Sequence, residues 1–482
     1  MCVRRTSAFT RSESTRRTTT TERSRWILIG SILGSGAVFV EGTVTAVALP
    51  AIARDLHLGI AGLQWVMNGY LLTLSALILL GGALGDRFSR RRVFATGLVG
   101  FAVSSLGCAL APNLTLLVVA RIFQGISGAL VVPNSLALLE TAFSGEARGA
   151  AIGRWAAWSA VSSALGPLVG GWLVGAASWR LVFVCVAPVA LAAVIAVGVG
   201  ASACDDPGRE SARVDYFGAT LATLGLAGIV AALIAGPDAG FTQPEILLTG
   251  IGGAVLFAAF TLVERHVRHP LLPLEVFRSK QFSGVNATTL VVYAALSGLI
   301  LFLMLQLQNV LGYSPVEAGA ALLPTNGLML LFSPLAGRVA ERHGPRLPMV
   351  VGCLIAGAGS LLFIRARPGS GYLTTVLPAA IVFGLGLACF VAPLTSVALG
   401  ALDEDLAGLA SGVNNAVARL AGLLATAVIP LAIGLGGVHD LNATQLAAGF
   451  ARTTVICAAL CAVGAAVAAL TIGDTIREPG AS

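Results

Sequence analysis

Glu41 stands inside an apolar run from Trp26 to Ala48 with no second carboxylate near it. An acid at such a depth costs about 3 kcal/mol to bring into a membrane and marks a functional position by default. Burial favours its neutral form, which is what a reversible proton carrier requires. Glu41 also offers the one deep negative charge with which a cationic substrate can pair. In a later run, Arg121, Gln124, Gly125 and Gly128 share one helical face. The glycines admit a close neighbour, and Arg121 and Gln124 bring donors to it. Arg121 either tunes the Glu41 proton or clamps another helix, and the residues leave both open. Glu41 and Arg121 are the proton-coupling candidates.

A second chemistry lies in two short polar gaps. One reads Gly82-Ala-Leu-Gly-Asp86-Arg87-Phe-Ser-Arg90-Arg91-Arg92, the other Gly337-Arg-Val-Ala-Glu341-Arg342-His-Gly-Pro-Arg346. Each has glycine, an acid four residues on, arginine, then more base. The acid suits pairing with arginine or with a helix N-terminus. Gly82, Asp86, Arg87, Arg90, Glu341 and Arg342 are therefore the expected conformational gate. A third pattern comprises Gly153, Ser162, Gly166-Pro167 and Gly170-Gly171. Ser162, Gly166 and Gly170 form a small-residue stripe of the kind that packs helices closely in lipid. Pro167 frees the carbonyl of Ser163 and favours a kink. No nucleophile–base constellation, metal-ligand spacing or P-loop occurs, so neither enzyme chemistry, a metal, a cofactor nor ATP is expected.

These residues need membrane helices to hold them. The 482 residues are 56% hydrophobic and 11% charged, with a mean hydropathy of +0.88, whereas a soluble domain is about 25% charged. Spans of about 20 apolar residues fall at 26–50, 63–85, 93–111, 114–139, 150–173, 180–200, 214–235, 246–263, 282–311, 316–337, 346–364, 373–397, 406–436 and 451–472. The 406–436 stretch is long enough to hold a re-entrant piece, which would reduce this count of fourteen. The first run is too long for a signal-peptide core of 7–15 residues, although Ala46-Val47-Ala48 mimics a cleavage site. With the N-terminus inside, twenty-two of the 30 basic residues face the cytoplasm and only Arg54, Arg180, Arg365, Arg367 and Arg452 face out. That bias is the positive-inside pattern. It also accounts for the net charge of +7 without nucleic acid. Most cysteines lie within the apolar runs and read as packing residues.

The repeated gap places equivalent loops after spans two and ten. It divides the chain into a basic tail 1–25, a six-helix bundle 26–200, a two-helix insert with flanking loops 201–281, a second six-helix bundle 282–472 and a tail 473–482. Duplicated halves with a site between them are a transporter architecture.

These motifs resemble the major facilitator superfamily, in particular its fourteen-helix drug:proton antiporter branch. Gly82 to Arg92 is similar to the signature loop G-x-L-a-D-r-x-G-r-k, with Ser89 at the second glycine. Glu41 to Pro50 resembles D-x-T-x-V-N-V-A-L-P, with Glu41 in the acid's place. Arg121 to Gly125 resembles R-x-x-Q-G, and Gly153 to Gly171 resembles the antiporter motif G-x8-G-x3-G-P-x2-G-G with Ser162 at the second glycine. Ser411, Gly412 and Asn415 resemble S-G-x-x-N-x-x-R-Q, but the arginine is displaced to Arg419. The resemblance implies an all-α integral membrane protein with both termini cytoplasmic, and a monomer. It implies a bacterial plasma-membrane exporter that exchanges protons for a small, mostly apolar drug, antibiotic or toxic metabolite. Import of a small nutrient on the same fold is the alternative. Trp65, Asn68, Tyr70, Gln124, Tyr293 and Gln306 are the expected substrate contacts.

Overall fold

The computed structural model describes residues 6–200, 214–267, 270–403, 406–438 and 442–474, without the side chains of 6–22, Glu146 and Ala407. Arg4, Arg5, the side chains of Arg11, Arg16 and Arg17, the segment carrying Arg209 and Arg213, Arg268, and Arg477 fall outside that description. Among the described residues every regular element is helical. Fourteen helices are long and apolar enough to cross a membrane. They are α1 (Arg23–Leu56), α2 (Ile60–Phe88), α3 (Arg90–Leu110), α4 (Leu114–Ala142), α5 (Ala147–Ala176), α6 (Arg180–Val199) and α7 (Tyr216–Ala239). The others are α8 (Pro244–Glu264), α9 (Lys280–Val310), α10 (Pro315–His343), α11 (Arg346–Arg365), α12 (Tyr372–Gly400), α13 (Gly408–Ala432) and α14 (Ala443–Thr471).

The 406–436 stretch is one helix with no re-entrant piece; α13 ends at Ala432, just past Pro430, and a turn follows. The last span starts earlier than hydropathy suggests, because Asn442 and Gln445 form a reciprocal capping box at its head. Arg452 therefore lies within α14, where it donates to the Ile433 carbonyl at 2.7 Å.

In the N-terminal half α2 and α3 pack on α4, and α1 packs on α5 and α6. In the C-terminal half α9 packs on α13 and α14, while α12 lies between α10 and α11. The inserted α7–α8 hairpin closes through glycines: a Cβ on Gly225 would stand 2.7 Å from the Phe257 nitrogen, and one on Gly253 2.6 Å from the Ile229 nitrogen. The hairpin leans through α7 on both α2 and α13.

The repeated loop has one backbone geometry in both copies. Ser89 has φ +142° and Gly344, its counterpart, has φ +87°. A positive φ is costless for glycine and strained for serine. The hydroxyl of Ser89 accepts weakly from the Arg92 amide at 3.5 Å.

Candidate functional site

Glu41 on α1 and Arg121 on α4 meet at 2.6 Å, both side chains wholly buried. The pair sits in a built polar cluster. Thr45, one turn along α1, donates to Glu41 Oε1 at 2.9 Å. Arg121 Nε donates to the Val66 carbonyl at 3.0 Å and Nη1 to Gln124 Oε1 at 2.7 Å. Gln124 passes the chain on to Ser105 at 2.8 Å. The guanidinium also stacks 4.5 Å from the Tyr70 ring centroid and 5.7 Å from that of Phe183. Glu41 Oε1 thus takes two donors, while Glu41 Oε2 and Arg121 Nη2 are buried with no protein partner. Removing one member of such a buried pair leaves an uncompensated charge, at about 3–5 kcal/mol. Sequence reasoning left open whether Arg121 reaches Glu41 or another helix; it reaches both Glu41 and the backbone of α2. The expectation that Glu41 faces a cationic substrate fails in this state, because Arg121 and the α1–α4 packing seal it.

The small-residue stripe of α5 lies directly against the Glu41 segment. A Cβ on Gly166 would collide with the Thr43 side chain, and one on Gly170 would stand 2.9 Å from Val44 Cγ1. Ser162 faces Gly36, where an added Cβ would be 2.9 Å from its hydroxyl. The adjoining face of the same helix crosses to the other half. Gly171 abuts the backbone of Pro315 and Val316, and Gly319 abuts the Pro167 carbonyl. Gly153 is different: nothing lies within 4 Å of a Cβ there, so no close packing explains it.

Three amide side chains join the halves near the outer face, each on a carbonyl in the turn before a proline. Gln64 of α2 donates to the Thr426 and Ala427 carbonyls at 2.8 and 3.2 Å, ahead of Pro430. Gln308, on a π-turn that ends α9, donates to the Val47 carbonyl at 3.0 Å, ahead of Pro50. Asn326 of α10 donates to the Ala164 carbonyl at 3.0 Å, ahead of Pro167. Proline removes the N–H that would satisfy the preceding turn, and neighbouring helices must supply the donor instead. Asn68 accepts from Thr426 beside the first of these contacts. Towards the cytoplasm α5 and α10 separate. Gly327 meets nothing within 4 Å, and Trp158 and Leu331 are exposed. On the other side α2 still touches α13, with Leu79 opposite Gly412. The contacts that join α5 to α10 thus lie towards the outer face.

At the signature loop Asp86 pairs with Arg90, the first residue of α3, at 2.8 Å, and Arg90 also donates to the Ala137 carbonyl of α4 at 3.2 Å. Arg87 stacks over Phe88 at 5.3 Å. The second copy is wired differently: among the described residues Glu341 and Arg342 make no ion pair, and Arg346 lies 3.9 Å from Asp474 instead.

The expected substrate contacts scatter. Tyr70 and Gln124 belong to the Glu41 cluster, and Asn68 belongs to the outer seam. Gln306 donates to Ala366 within the C-terminal half at 2.8 Å. Trp65 and Tyr293 remain partly exposed. Gln64 and Asn326 were missed as site residues; their one signal is a bare amide inside an apolar run.

The sequence profile of the Major Facilitator Superfamily matches residues 31–426. The tetracenomycin C resistance and export protein of Streptomyces glaucescens is 37% identical over 407 residues, 83% of this chain and 74% of the relative. The puromycin resistance protein of Streptomyces alboniger is also 37% identical, over 84% of this chain and 81% of the relative. The methylenomycin A resistance protein of Bacillus subtilis is 35% identical over 88% and 90%. Among solved structures, a bacterial homologue of the lysosomal transporter Spinster, inward-facing and unoccupied, superposes with a TM-score of 0.63 at 16% identity, covering 93% of this chain and 97% of its own. A peptide transporter superposes with a TM-score of 0.65 at 15% identity, over 94% and 96%.

Proposed function

The chain belongs to the Major Facilitator Superfamily, a multi-pass transporter of small molecules in the bacterial plasma membrane rather than an enzyme, and from that premise we propose that it exports a drug, antibiotic or toxic metabolite in exchange for protons. The resistance and export roles of its relatives support efflux. Proton coupling is supported by one observation above the rest: a wholly buried Glu41–Arg121 pair whose second carboxylate oxygen has no partner. A proton on Glu41 cancels the charge that holds Arg121. The pair lies two residues from Thr43, where α1 bears on Gly166 of α5, and α5 bears in turn on Gly319 of α10.

Protonation state and the closure between halves thus share one set of helix contacts, α4–α1–α5–α10. A ligand or proton shifts such an equilibrium only through its differential affinity for the two states. Glu41, ionised and paired, carries no proton out with the drug; protonated from the outside, it returns with its proton in the emptied carrier and gives it up to the cytoplasm. Arg90, Asp86 and the α4 carbonyl of Ala137 hold the cytoplasmic ends of α2, α3 and α4 as one body during that motion. The transporter works as a monomer without ATP.

The test is movement of a fluorescent drug, read as efflux from resistant cells and as uptake into inside-out vesicles, with and without an uncoupler. Uphill movement that persists after the proton gradient is collapsed overturns the coupling. Uptake by intact cells, or efflux from inside-out vesicles, overturns the direction.

A further inference from the structure

Only one carboxylate lies deep in a described span. Apart from Glu41, every Asp and Glu of the fourteen helices stands within a turn of a helix end. Glu41 is neutralised by Arg121 and sealed from the cleft. Arg419 is the opposite case. It stands midway along α13, is only partly buried, and has neither a hydrogen bond nor a carboxylate partner among the described residues. Its guanidinium crosses the space between the halves and lies 5.4 Å from the Phe39 ring centroid on α1. Its charge also acts on the phenols of Tyr70 and Tyr293, on α2 and α9.

We propose that Arg419 is a substrate-binding residue of the central cleft and that the substrate is an aromatic acid, bearing a carboxylate or an ionised phenol or enol; this rests on the export reading above. A guanidinium carries five donors and no acceptor, and here the protein meets none of them. A flat ligand that slides against Phe39 and Tyr293 strips water from that group. It must then supply acceptors itself, or leave a charge unpaired in a low-dielectric cleft. An oxyanion satisfies charge and donors together, and the guanidinium fork suits carboxylate geometry. A cationic ligand meets an uncompensated like charge. A neutral hydrocarbon gains only the stacking. The residue is also out of register with the resembled motif, which has arginine where Ala418 stands here and glutamine where Arg419 stands. One position is about 100° around a helix, so this cation is aimed at a different place.

Binding is read on purified full-length protein in detergent, by equilibrium dialysis with three isosteric probes: 2-naphthoate, 2-naphthylmethanol and 2-naphthylmethylamine. The expected order is naphthoate over alcohol over amine. Arg419→Gln is expected to weaken naphthoate about tenfold or more, the value of a charge-assisted hydrogen bond, while leaving the alcohol unchanged. Arg419→Lys keeps the order. A wild-type preference for the amine or alcohol, no binding of naphthoate, or unchanged naphthoate binding in Arg419→Gln each overturns the proposal. The wild-type order needs no variant, so misfolding of Arg419→Gln cannot shelter it. No gradient is present in this experiment. Naphthoate preference without gradient-driven efflux therefore sinks the export reading alone, and efflux without that preference sinks the site alone.

Discussion

Glu41 is the residue on which coupling turns. Glu41→Gln keeps an oxygen for Thr45 and Arg121 but cannot exchange a proton, so efflux from vesicles under an imposed pH gradient is expected to stop while protein remains in the membrane. Glu41→Asp is expected to retain part of the activity, because the charge survives with a shorter reach to Arg121. A Gln variant that still concentrates drug under the gradient removes Glu41 as the coupling site. Ser89 gives a stability test in the other direction. Its φ of +142° costs on the order of 1 kcal/mol, so Ser89→Gly is expected to raise the thermal midpoint and Gly344→Ala to lower it, the latter because a Cβ would strike the Asp474 backbone. That this turn asks for a glycine was legible through the resembled signature loop, which has glycine where Ser89 stands. The wiring of the second copy was not, because the two loops share a sequence order but end against different segments: α4 for Arg90, the C-terminal Asp474 for Arg346.

At the scale of the helix, a motif and its contacts separate. Spacing alone marked Ser162, Gly166 and Gly170 as one stripe, since residues four apart share a helical face. It could not tell which helix the stripe meets, nor that Gly171 and Pro167 turn the adjoining face to the other half. Gly166→Leu is expected to abolish resistance with protein still in the membrane, because Thr43 leaves no room. Gly153→Ala, in the same motif, is expected to keep export, since open space surrounds it. The reverse result would show that the motif acts through something other than close approach. The amide contacts were still less legible, since a hydrogen bond from Gln64 to Thr426 spans 362 residues and has no local spacing to betray it. Gln64→Leu forfeits two such bonds at the outer seam, about 1–2 kcal/mol or a five- to thirty-fold shift towards the outward-open state. Spin labels at His57 and Ala443 are expected to read it as a longer distance distribution, and an unchanged distribution would show that the seam does not set the equilibrium.

For the whole molecule, the charge pattern gives the orientation and an unrelated set of contacts fixes which connections share a side. The basic residues crowd the connections after α2, α8 and α10, which the positive-inside rule puts in the cytoplasm. Independently of charge, the α8–α9 connection folds onto the α12–α13 connection. Val276 shares an apolar cluster with Ala410 and Val413, and Ser279 donates to the Ala401 carbonyl. These two connections can touch only if both lie on one side, which an even number of spans between them requires. At the other end Gln306, at the α9 terminus, holds the carbonyl of Ala366 in the α11–α12 connection, so that pair must share the opposite side. In a background without native cysteines, Arg278→Cys is therefore expected to react in intact cells only with a membrane-permeant maleimide, and Arg367→Cys with permeant and impermeant reagents alike. Both positions are exposed, so silence cannot be blamed on burial. Labelling of both by the impermeant reagent would break the odd count of three spans, α9 to α11, between these positions, and with it the two-bundle arrangement that brings Arg419 over Phe39.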